Sequence, residues 1–134
     1  MKIELGGRTA LVTASTAGIG LAIAEGLATA GATVVINGRS VDSTERARQR
    51  LLAAVPGAEV IGVAADLSDA AGVDTLLAGL PKVDILVNNA GIFGPEDFFE
   101  TEDATWERYW QTNVMSGVRL SRALLPAMVD AGWG

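Results

Sequence analysis

Residues 13–20, Thr-Ala-Ser-Thr-Ala-Gly-Ile-Gly, have the most informative spacing in this 134-residue chain. They join a short β-branched run to an apolar helical pattern. Glycines at positions 18 and 20 let the backbone approach a ligand closely, and the free N–H groups at a helix start attract an anion, typically a pyrophosphate. A tight turn that binds nothing is the alternative interpretation. The location between a strand and a helix favours the phosphate site.

Arg39 and Ser40 follow the second predicted strand, about 20 residues after Gly20. A dinucleotide-binding fold that prefers NAD places Asp or Glu here to bind the ribose 2′-hydroxyl. This chain has Asn-Gly-Arg-Ser at residues 37–40 and no acid. A guanidinium can donate two hydrogen bonds to a 2′-phosphate and can stack on adenine. The sequence therefore favours NADP(H), with NAD as second choice, and a solvated loop arginine is the alternative.

The composition excludes several kinds of chemistry. Cysteine and histidine are both absent, which excludes disulfides, thiolate nucleophiles, metal sites built on Cys or His, and a histidine general base. Ten Lys and Arg against sixteen Asp and Glu give a net charge of −6, which argues against nucleic-acid or anionic-lipid partners. Acidic side chains cluster between residues 96 and 103. We interpret them as solvated charge and predict no metal site.

The same composition indicates a folded chain of one domain, residues 1–134. The apolar fraction is 49% and the charged fraction 19%, unlike those of disordered chains. No stretch has the pattern of a signal peptide or reaches the roughly 20 apolar residues that span a bilayer. The absence of cysteine is compatible with a cytoplasmic location, which we expect for this chain.

Short β-branched runs alternate with longer helical patterns along the chain. We predict strands at residues 9–13, 33–36, 59–63 and 84–87, and helices at about 18–30, 42–55, 68–80 and 101–128. The expected helix starts are Asp42, Ser68 and Thr101. The expected buried face of the first helix comprises Ile19, Ala22, Ile23, Leu27 and Ala30. Apolar strands with helical crossovers predict an α/β fold, a Rossmann-like doubly wound parallel sheet of strand order 3-2-1-4.

Several of these stretches together resemble the short-chain dehydrogenase/reductase family. Residues 13–20 resemble its TGxxxGIG cofactor signature, with Ala14 in place of the first glycine. Residues 88–91 match its Asn-Asn-Ala-Gly motif after the fourth strand. Further matches are Asp66-Leu67, Asn113 and Leu125-Pro126-x-Met128. The resemblance covers residues 9–128 and implies a nicotinamide-dependent oxidoreductase.

The predicted cofactor-binding residues are Thr13, Ser15, Gly18, Ile19, Gly20, Arg39, Ser40, Asp66, Leu67, Asn88, Ala90 and Gly91. The resemblance implies that residues 18–20 border the pyrophosphate. It also implies that Asp66 accepts a hydrogen bond from the adenine amine, and that Asn88, Ala90 and Gly91 line the ribose side. Strand-end hydrogen bonding is the alternative role for Asn88 and Asn89. The departure at Ala14 should be tolerated if its φ is negative.

The resemblance further implies a catalytic Ser, Tyr and Lys. The Tyr transfers the proton, the Lys lowers the Tyr pKa and holds the ribose, and the Ser polarises the carbonyl. Here the single tyrosine, Tyr109, is followed four residues later by Asn113, and the lysines are Lys2 and Lys82. Asn113 matches the catalytic asparagine of the family but lacks these partners, so we interpret it as a helix residue satisfied by backbone.

We therefore expect the cofactor-binding half of a longer NADP(H)-dependent oxidoreductase, one that transfers hydride between nicotinamide and a carbonyl or alcohol substrate. The sequence ends where the family enters its fifth strand, so we expect the chain to be truncated there and inactive by itself. Two other functions stay open: a non-catalytic dinucleotide-binding or regulatory module, and a self-associating structural fragment that binds nothing.

Two apolar features predict a homo-oligomer. One is a stripe on the long helix, comprising Trp106, Trp110, Val114, Gly117, Ser121, Leu124 and Met128. The other is the fourth strand, which is expected to lack a neighbour on one side. We expect association through the long helix, the exposed edge of strand four, or both.

Overall fold

Four parallel strands form the sheet. A computed structural model describes residues 2–134. The strands are β1 (Thr9–Val12), β2 (Thr33–Gly38), β3 (Val60–Ala64) and β4 (Ile85–Val87), in the order β3-β2-β1-β4. Three helices form the crossovers: α1 (Gly18–Thr29), α2 (Val41–Ala54) and α3 (Ala70–Ala78). The predicted Rossmann-like sheet of order 3-2-1-4 is confirmed.

Helices cover both faces of this sheet. Neighbouring residues in a strand point to opposite faces, so Val12 and Ile36 are buried against α1 and α2, with Leu51 of α2 in the same cluster. Leu11 and Val35 belong to a separate buried cluster. From the helices, that cluster receives Val73 and Leu76 of α3, and Leu120 and Met128 of the chain after β4. Burial on both faces explains why the strands are apolar throughout rather than alternating.

The strand register brings the functional segments to one edge. Val12 pairs with Ile36 on one side and with Val87 on the other, and Asn37 pairs with Val63. All strands run in the same direction, so the residues after β1, β2, β3 and β4 meet at the carboxyl edge of the sheet. Ligands of open α/β sheets bind at this edge, where the strand order reverses.

The sequence placed three helix starts incorrectly. Helix α2 is capped by Ser40, whose hydroxyl accepts a hydrogen bond from the Ser43 N–H, and not by Asp42. Helix α3 is capped by Asp69, which accepts from the Gly72 N–H, and not by Ser68. The helix after β4 begins at Asp103 rather than Thr101. Each region offers several capping side chains, and only the path of the chain selects one.

The predicted buried face of α1 is wrong in part: Ile23 and Leu27 are half-buried against the core, but Ile19 and Ala22 are exposed. Ile19 is 76% exposed, and the buried residues are Gly20, Leu21, Ala24 and Ala28. Apolar residues occupy nearly every position of this helix, so the sequence pattern defines no single face. Packing on the sheet selects the small residues, which allow the helix to approach β1 and β2 closely.

A long helical stretch follows β4. It comprises α4 (Asp103–Tyr109), a π-helical segment (Trp110–Met115) and α5 (Ser116–Ala131). Of the predicted apolar stripe, Met128 is buried, whereas Trp106, Trp110 and Val114 are exposed. The stripe is therefore core at its carboxyl end and solvent-facing at its amino end. Within residues 2–134, no helix combines the length and apolarity needed to cross a membrane. The cytoplasmic location stays a prediction.

Asp84, just before β4, ties the amino edge of the sheet together. Its carboxylate accepts a hydrogen bond of 3.0 Å from the Thr9 N–H, and Lys82 and Arg8 lie 3.5 and 3.8 Å from its other oxygen. The Thr9 N–H lowers the pKa of Asp84 most, and the two cations lower it further against the opposing effect of burial. Because the folded pKa lies below the unfolded value, the carboxylate stabilises the fold above about pH 4. That contribution is lost as pH falls through the lowered pKa.

We predict that Asp84→Asn lowers the free energy of unfolding at pH 7 by about 1 kcal/mol, because the amide oxygen can still accept from Thr9 but carries no charge. Urea denaturation between neutral and acidic pH measures this. The parent should lose stability below about pH 4 more steeply than the variant. Glu25→Gln, at an exposed position of α1, should keep the parent's pH dependence. An Asp84→Asn curve parallel to that of the parent would contradict the assignment.

Candidate functional site

A cleft of about 240 Å³ opens at the carboxyl edge of the sheet. Its walls come from the turn after β1, the ends of β2 and β3, the segment after β4 and the π-helical segment. The lining residues are Ala14, Thr16, Ala17, Asn37, Gly38, Arg39, Ala65, Asp66, Leu67, Ala90, Gly91, Ile92 and Thr112. Five predicted residues line it directly: Arg39, Asp66, Leu67, Ala90 and Gly91.

Thr13 connects the two segments that form the floor of this cleft. Its hydroxyl oxygen accepts hydrogen bonds from the N–H groups of Asn89 and Ala90, at 3.0 and 2.9 Å. The same hydroxyl lies 3.4 Å from the Val87 carbonyl, to which it donates. Thr13 is almost fully buried. Its side chain therefore positions the residues after β4 and does not face the cleft.

Ala14 adopts the left-handed backbone conformation, with φ of 49°. Tolerance of alanine at this glycine position is expected on the condition of a negative φ, and the structure does not meet that condition. A left-handed alanine costs roughly 1–2 kcal/mol and persists only where its surroundings hold it. Here the N–H donates to Asn37 Oδ1 at 3.1 Å and the carbonyl accepts from Asn89 Nδ2 at 3.2 Å. Both polar groups of the residue are thus held by asparagine amides.

Ser15, one of the predicted cofactor-binding residues, is completely buried. Its hydroxyl donates to the Val12 carbonyl at 2.7 Å and accepts from the Asn37 N–H at 2.9 Å. The Ser15 N–H donates to the Asn37 carbonyl at 2.8 Å. These bonds continue the β1–β2 pairing beyond the ladder. Ser15 therefore fixes the turn from the interior.

Helix α1 begins at the cleft without a side-chain cap. Its N-cap residue is Ala17, and no acidic residue occupies the first turn. Gly18 has φ of 56° and open space where a Cβ would lie. Ile19 is exposed beside it. The first amides of the helix are therefore left for water or an anion, and the dipole favours negative charge there.

Gly20 is required for close packing beneath the turn. A Cβ at this position would lie 2.5 Å from both the Ala14 carbonyl oxygen and Asn89 Nδ2. Those two atoms form the hydrogen bond that holds Ala14. Glycine is thus required so that α1 can start beneath the turn.

Arg39 and Ser40 separate in the structure. Arg39 is exposed and lines the cleft, and within residues 2–134 it forms no ion pair. Ser40, in contrast, caps α2. Its hydroxyl accepts from the Ser43 N–H at 3.2 Å and lies 2.8 Å from the Ser43 hydroxyl. Ser40 therefore caps α2 and orients the chain after Arg39, and its predicted contact with the cofactor stays a prediction.

Asp66 and Leu67 form the wall after β3. Asp66 is exposed, and its Oδ1 accepts a hydrogen bond of 3.0 Å from the Ser68 N–H. Leu67 is buried, and its side chain belongs to the core cluster beneath α3. The carboxylate therefore has a fixed orientation at the cleft and keeps acceptor capacity for a ligand amine.

Residues 88–91 are held by hydrogen bonds on both sides. Asn88 Nδ2 donates to the Ser121 hydroxyl of α5 at 3.2 Å, and Asn89 Nδ2 donates to the Thr13 carbonyl at 3.0 Å. Asn89 thus has the sheet-holding role considered as an alternative, whereas Asn88 attaches the end of β4 to α5. Ala90 and Gly91 contribute the surface that faces the cleft.

Asn113, in the π-helical segment, is anchored to the chain after β4. Its Oδ1 accepts from the Ile92 N–H at 2.7 Å, and its Nδ2 donates to the Ile92 carbonyl at 2.8 Å. The interpretation of Asn113 as satisfied by backbone is confirmed, with the partner on another segment rather than on its own helix. Tyr109 Oη donates to the Glu96 carboxylate at 3.4 Å. It therefore points to the loop that follows β4.

These features fit a dinucleotide phosphate bridge and an adenosine phosphate. The helix start is uncapped and free of acids, the turn exposes backbone, and an unpaired guanidinium lies at the rim. Within residues 2–134, no three Asp or Glu side chains are grouped to hold a metal ion. A larger depression of about 530 Å³ at the amino edge is lined mostly by small residues and backbone, with Glu59 as its charged group. It offers no cation for a phosphate.

Sequence reasoning missed Asn37 and Thr16 as residues of the cleft. The second strand is predicted to end at residue 36, which places Asn37 in the turn after it. Its hydrogen-bond partners Ala14, Val63 and Ala65 are distant along the chain, so no local pattern indicates them. One signal was available. A buried side-chain amide at the end of a strand needs hydrogen-bond partners. The asparagine and glycine that follow the apolar second strand indicate such an amide.

Comparison with known proteins supports the geometry. The family model described as short chain dehydrogenase matches residues 8–134. The uncharacterized oxidoreductase YvaG of Bacillus subtilis (strain 168) is 45% identical over 130 residues, which cover 97% of this chain and 49% of that protein.

Two solved structures are similar at a comparable level. The L-sorbose reductase of Gluconobacter frateurii, complexed with NADPH and L-sorbose, has a TM-score of 0.90 and 40% identity, covering 98% of this chain and 51% of its own. A 3-oxoacyl (acyl-carrier-protein) reductase of Agrobacterium tumefaciens C58 with NADP bound has a TM-score of 0.89 and 39% identity, with the same two coverages of 98% and 51%.

The chain spans about half the length of the relatives it matches. Within that half, strand order, backbone and sequence agree with theirs from before β1 to beyond α5. This chain belongs to the short-chain dehydrogenase family of oxidoreductases.

Proposed function

We propose that residues 1–134 form the dinucleotide-binding part, a single incomplete Rossmann domain, of an NADP(H)-dependent oxidoreductase. The complete enzyme would transfer hydride between the nicotinamide and a carbonyl or alcohol substrate. The observation that carries the proposal is the cleft itself, in which an uncapped α1 and an unpaired Arg39 occupy the same rim. Relatives solved in complex with NADPH and NADP support the choice of cofactor.

The chain's own residues would divide the work of binding. The first amides of α1, beside Gly18, would donate to the pyrophosphate, and Ile19 would border it. Asp66 would accept from the adenine amine, since its carboxylate is exposed and oriented by Ser68. Ala90 and Gly91 would support the ribose next to the nicotinamide. When bound, the nicotinamide supplies the hydride acceptor or donor that no side chain here could supply.

Arg39 supports NADP(H) over NAD. A guanidinium suits a 2′-phosphate, which carries charge and several acceptor oxygens, and gains much less from a 2′-hydroxyl. Residues 37–40 contain no carboxylate at the position where an acid would bind the ribose 2′-hydroxyl of NAD. NAD stays the second choice.

We predict that Arg39→Ala weakens NADPH binding at least about tenfold, because a charge-assisted hydrogen bond contributes about 1.5–3 kcal/mol. NADH binding should change less than about twofold. Fluorescence titration of both reduced cofactors, without substrate, measures the two dissociation constants.

Arg50→Ala is the matched control, since it removes an exposed arginine of α2 outside the cleft. It should leave both constants unchanged. Equal weakening of NADPH and NADH by Arg39→Ala would contradict selection of the 2′-phosphate. An Arg39→Ala variant that binds NADPH as the parent does would exclude the arginine from the site.

Of the family's catalytic Asn, Ser, Tyr and Lys, this chain has a match for the Asn, which is Asn113. Its amide is used to hold Ile92, and the sequence has no Tyr-x-x-x-Lys pair. We therefore expect no side chain of this chain to transfer a proton to a carbonyl.

We predict that the 134-residue chain binds NADPH but does not oxidise it with any member of a panel of aldehydes and ketones. The decay of NADPH fluorescence, compared with a blank without protein, measures this. Titration under the same conditions separates missing chemistry from missing binding. Turnover above the blank would show that the chain itself is catalytically complete.

A self-associating chain is the second candidate, and the edge of β4 favours it. Within residues 2–134, β4 pairs with β1 alone, so its other side presents unpaired N–H and C=O groups on an apolar strand. Trp106, Trp110 and Val118 add exposed apolar surface along the long helical stretch. We infer a homo-oligomer that uses the β4 edge, this helical surface, or both.

Sedimentation velocity at concentrations on the order of tens of micromolar tests the association. We predict a dimer or larger species, and dissociation by Trp110→Glu together with Val118→Glu if the helical surface is used, because buried carboxylates oppose the contact. An oligomer that both substitutions leave intact would assign the association to β4. A compact monomer of the parent chain would contradict the inference.

A further inference from the structure

We propose that Asn37 is a positioning residue for the cleft, holding Ala14 in its left-handed conformation and so fixing the wall where the cofactor's phosphate bridge would lie. The inference rests on the proposed dinucleotide-binding function. It assigns to Asn37 a role that acts through another residue and not through contact with the substrate.

Asn37 is attached to the turn after β1 by three hydrogen bonds. Its Oδ1 accepts from the Ala14 N–H at 3.1 Å. Its own N–H donates to the Ser15 hydroxyl at 2.9 Å, and its carbonyl accepts from the Ser15 N–H at 2.8 Å. The residue is only 2% exposed, so water does not compete for these bonds.

The opposite side of the amide fixes its orientation. Asn37 Nδ2 donates to the carbonyls of Val63 and Ala65, both at 3.1 Å. Because two acceptors hold Nδ2, Oδ1 must face Ala14. A carboxylate could not replace the amide, since it cannot donate to those carbonyls. The position therefore needs a side chain that donates on one side and accepts on the other.

Ala14 depends on this arrangement more than a glycine would. Alanine is rarely found at a φ of 49°, whereas glycine adopts such values freely. Its carbonyl is held separately by Asn89 Nδ2 at 3.2 Å. Loss of the Asn37 bond would let Ala14 relax toward negative φ, and the cleft wall formed by Ala14, Thr16 and Ala17 would move with it.

A double-mutant cycle tests this coupling. NADPH dissociation constants are measured for the parent, Asn37→Ser, Ala14→Gly and the double variant, each verified as folded by circular dichroism at the assay temperature. We expect Asn37→Ser to weaken binding about tenfold or more in the parent and less than about threefold when combined with Ala14→Gly, because glycine keeps a positive φ without being held. Asp84→Asn, which destabilises the opposite edge of the sheet, should leave the dissociation constant unchanged.

A second measurement needs neither a variant nor a cofactor. Amide hydrogen exchange of the parent, followed by NMR, should show the Ala14 N–H protected although the residue is exposed, because Asn37 Oδ1 accepts its hydrogen bond. This readout decides the assignment if Asn37→Ser does not fold. An unprotected Ala14 amide would overturn it.

The remaining outcomes are also decisive. Equal weakening by Asn37→Ser with and without Ala14→Gly, or no weakening in the parent, would overturn the positioning role. The parent could also bind neither NADPH nor NADH while the Ala14 amide is protected. In that case the proposed function fails, and the link between Asn37 and cofactor binding is overturned with it. Only the hydrogen bond by which Asn37 holds Ala14 is then supported.

Discussion

Backbone groups at the carboxyl edge of this sheet need hydrogen-bond partners, because a buried group without one costs about 1–3 kcal/mol. Past the last ladder pairs, a few backbone bonds continue the pairing, and the other partners come from side chains. The Thr13 hydroxyl and the amides of Asn37 and Asn89 supply them. All three residues join segments that are far apart in sequence. The turn after β1 therefore has its shape because neighbouring strand ends hold it.

This arrangement separates the residues that build the cleft from those that face it. Thr13, Ser15 and Asn37 are buried, with their polar atoms bonded to protein. The surface left to a ligand consists of backbone at the start of α1, small side chains, and the charged groups of Arg39 and Asp66. A preorganised backbone of this kind binds an anion without ordering flexible side chains, which would oppose binding entropically.

The left-handed Ala14 shows how such a frame tolerates a departure from the family pattern. The strain of an alanine at this position is local, whereas the bonds that hold it come from β2 and from the chain after β4. Gly20 contributes by leaving room for the Asn89 amide. Alanine in place of the first glycine of the turn is thus accommodated by Asn37 and Asn89, whose amides bond to its backbone. A glycine there would leave the same backbone groups to be bonded.

The sequence alone determined the order of strands and helices, the Rossmann-like sheet, and the segments that meet at its carboxyl edge, since these follow from local apolar patterns and from the handedness of crossovers. It also identified Arg39 and Asp66 as residues of the cleft. Only the tertiary structure decided that Ser15 and Ser40 bond to backbone, that Ala14 is left-handed, and that Asn37 holds it. Hydrogen-bond partners and φ values are set by contacts between strands roughly 20 to 80 residues apart, and no local pattern records them.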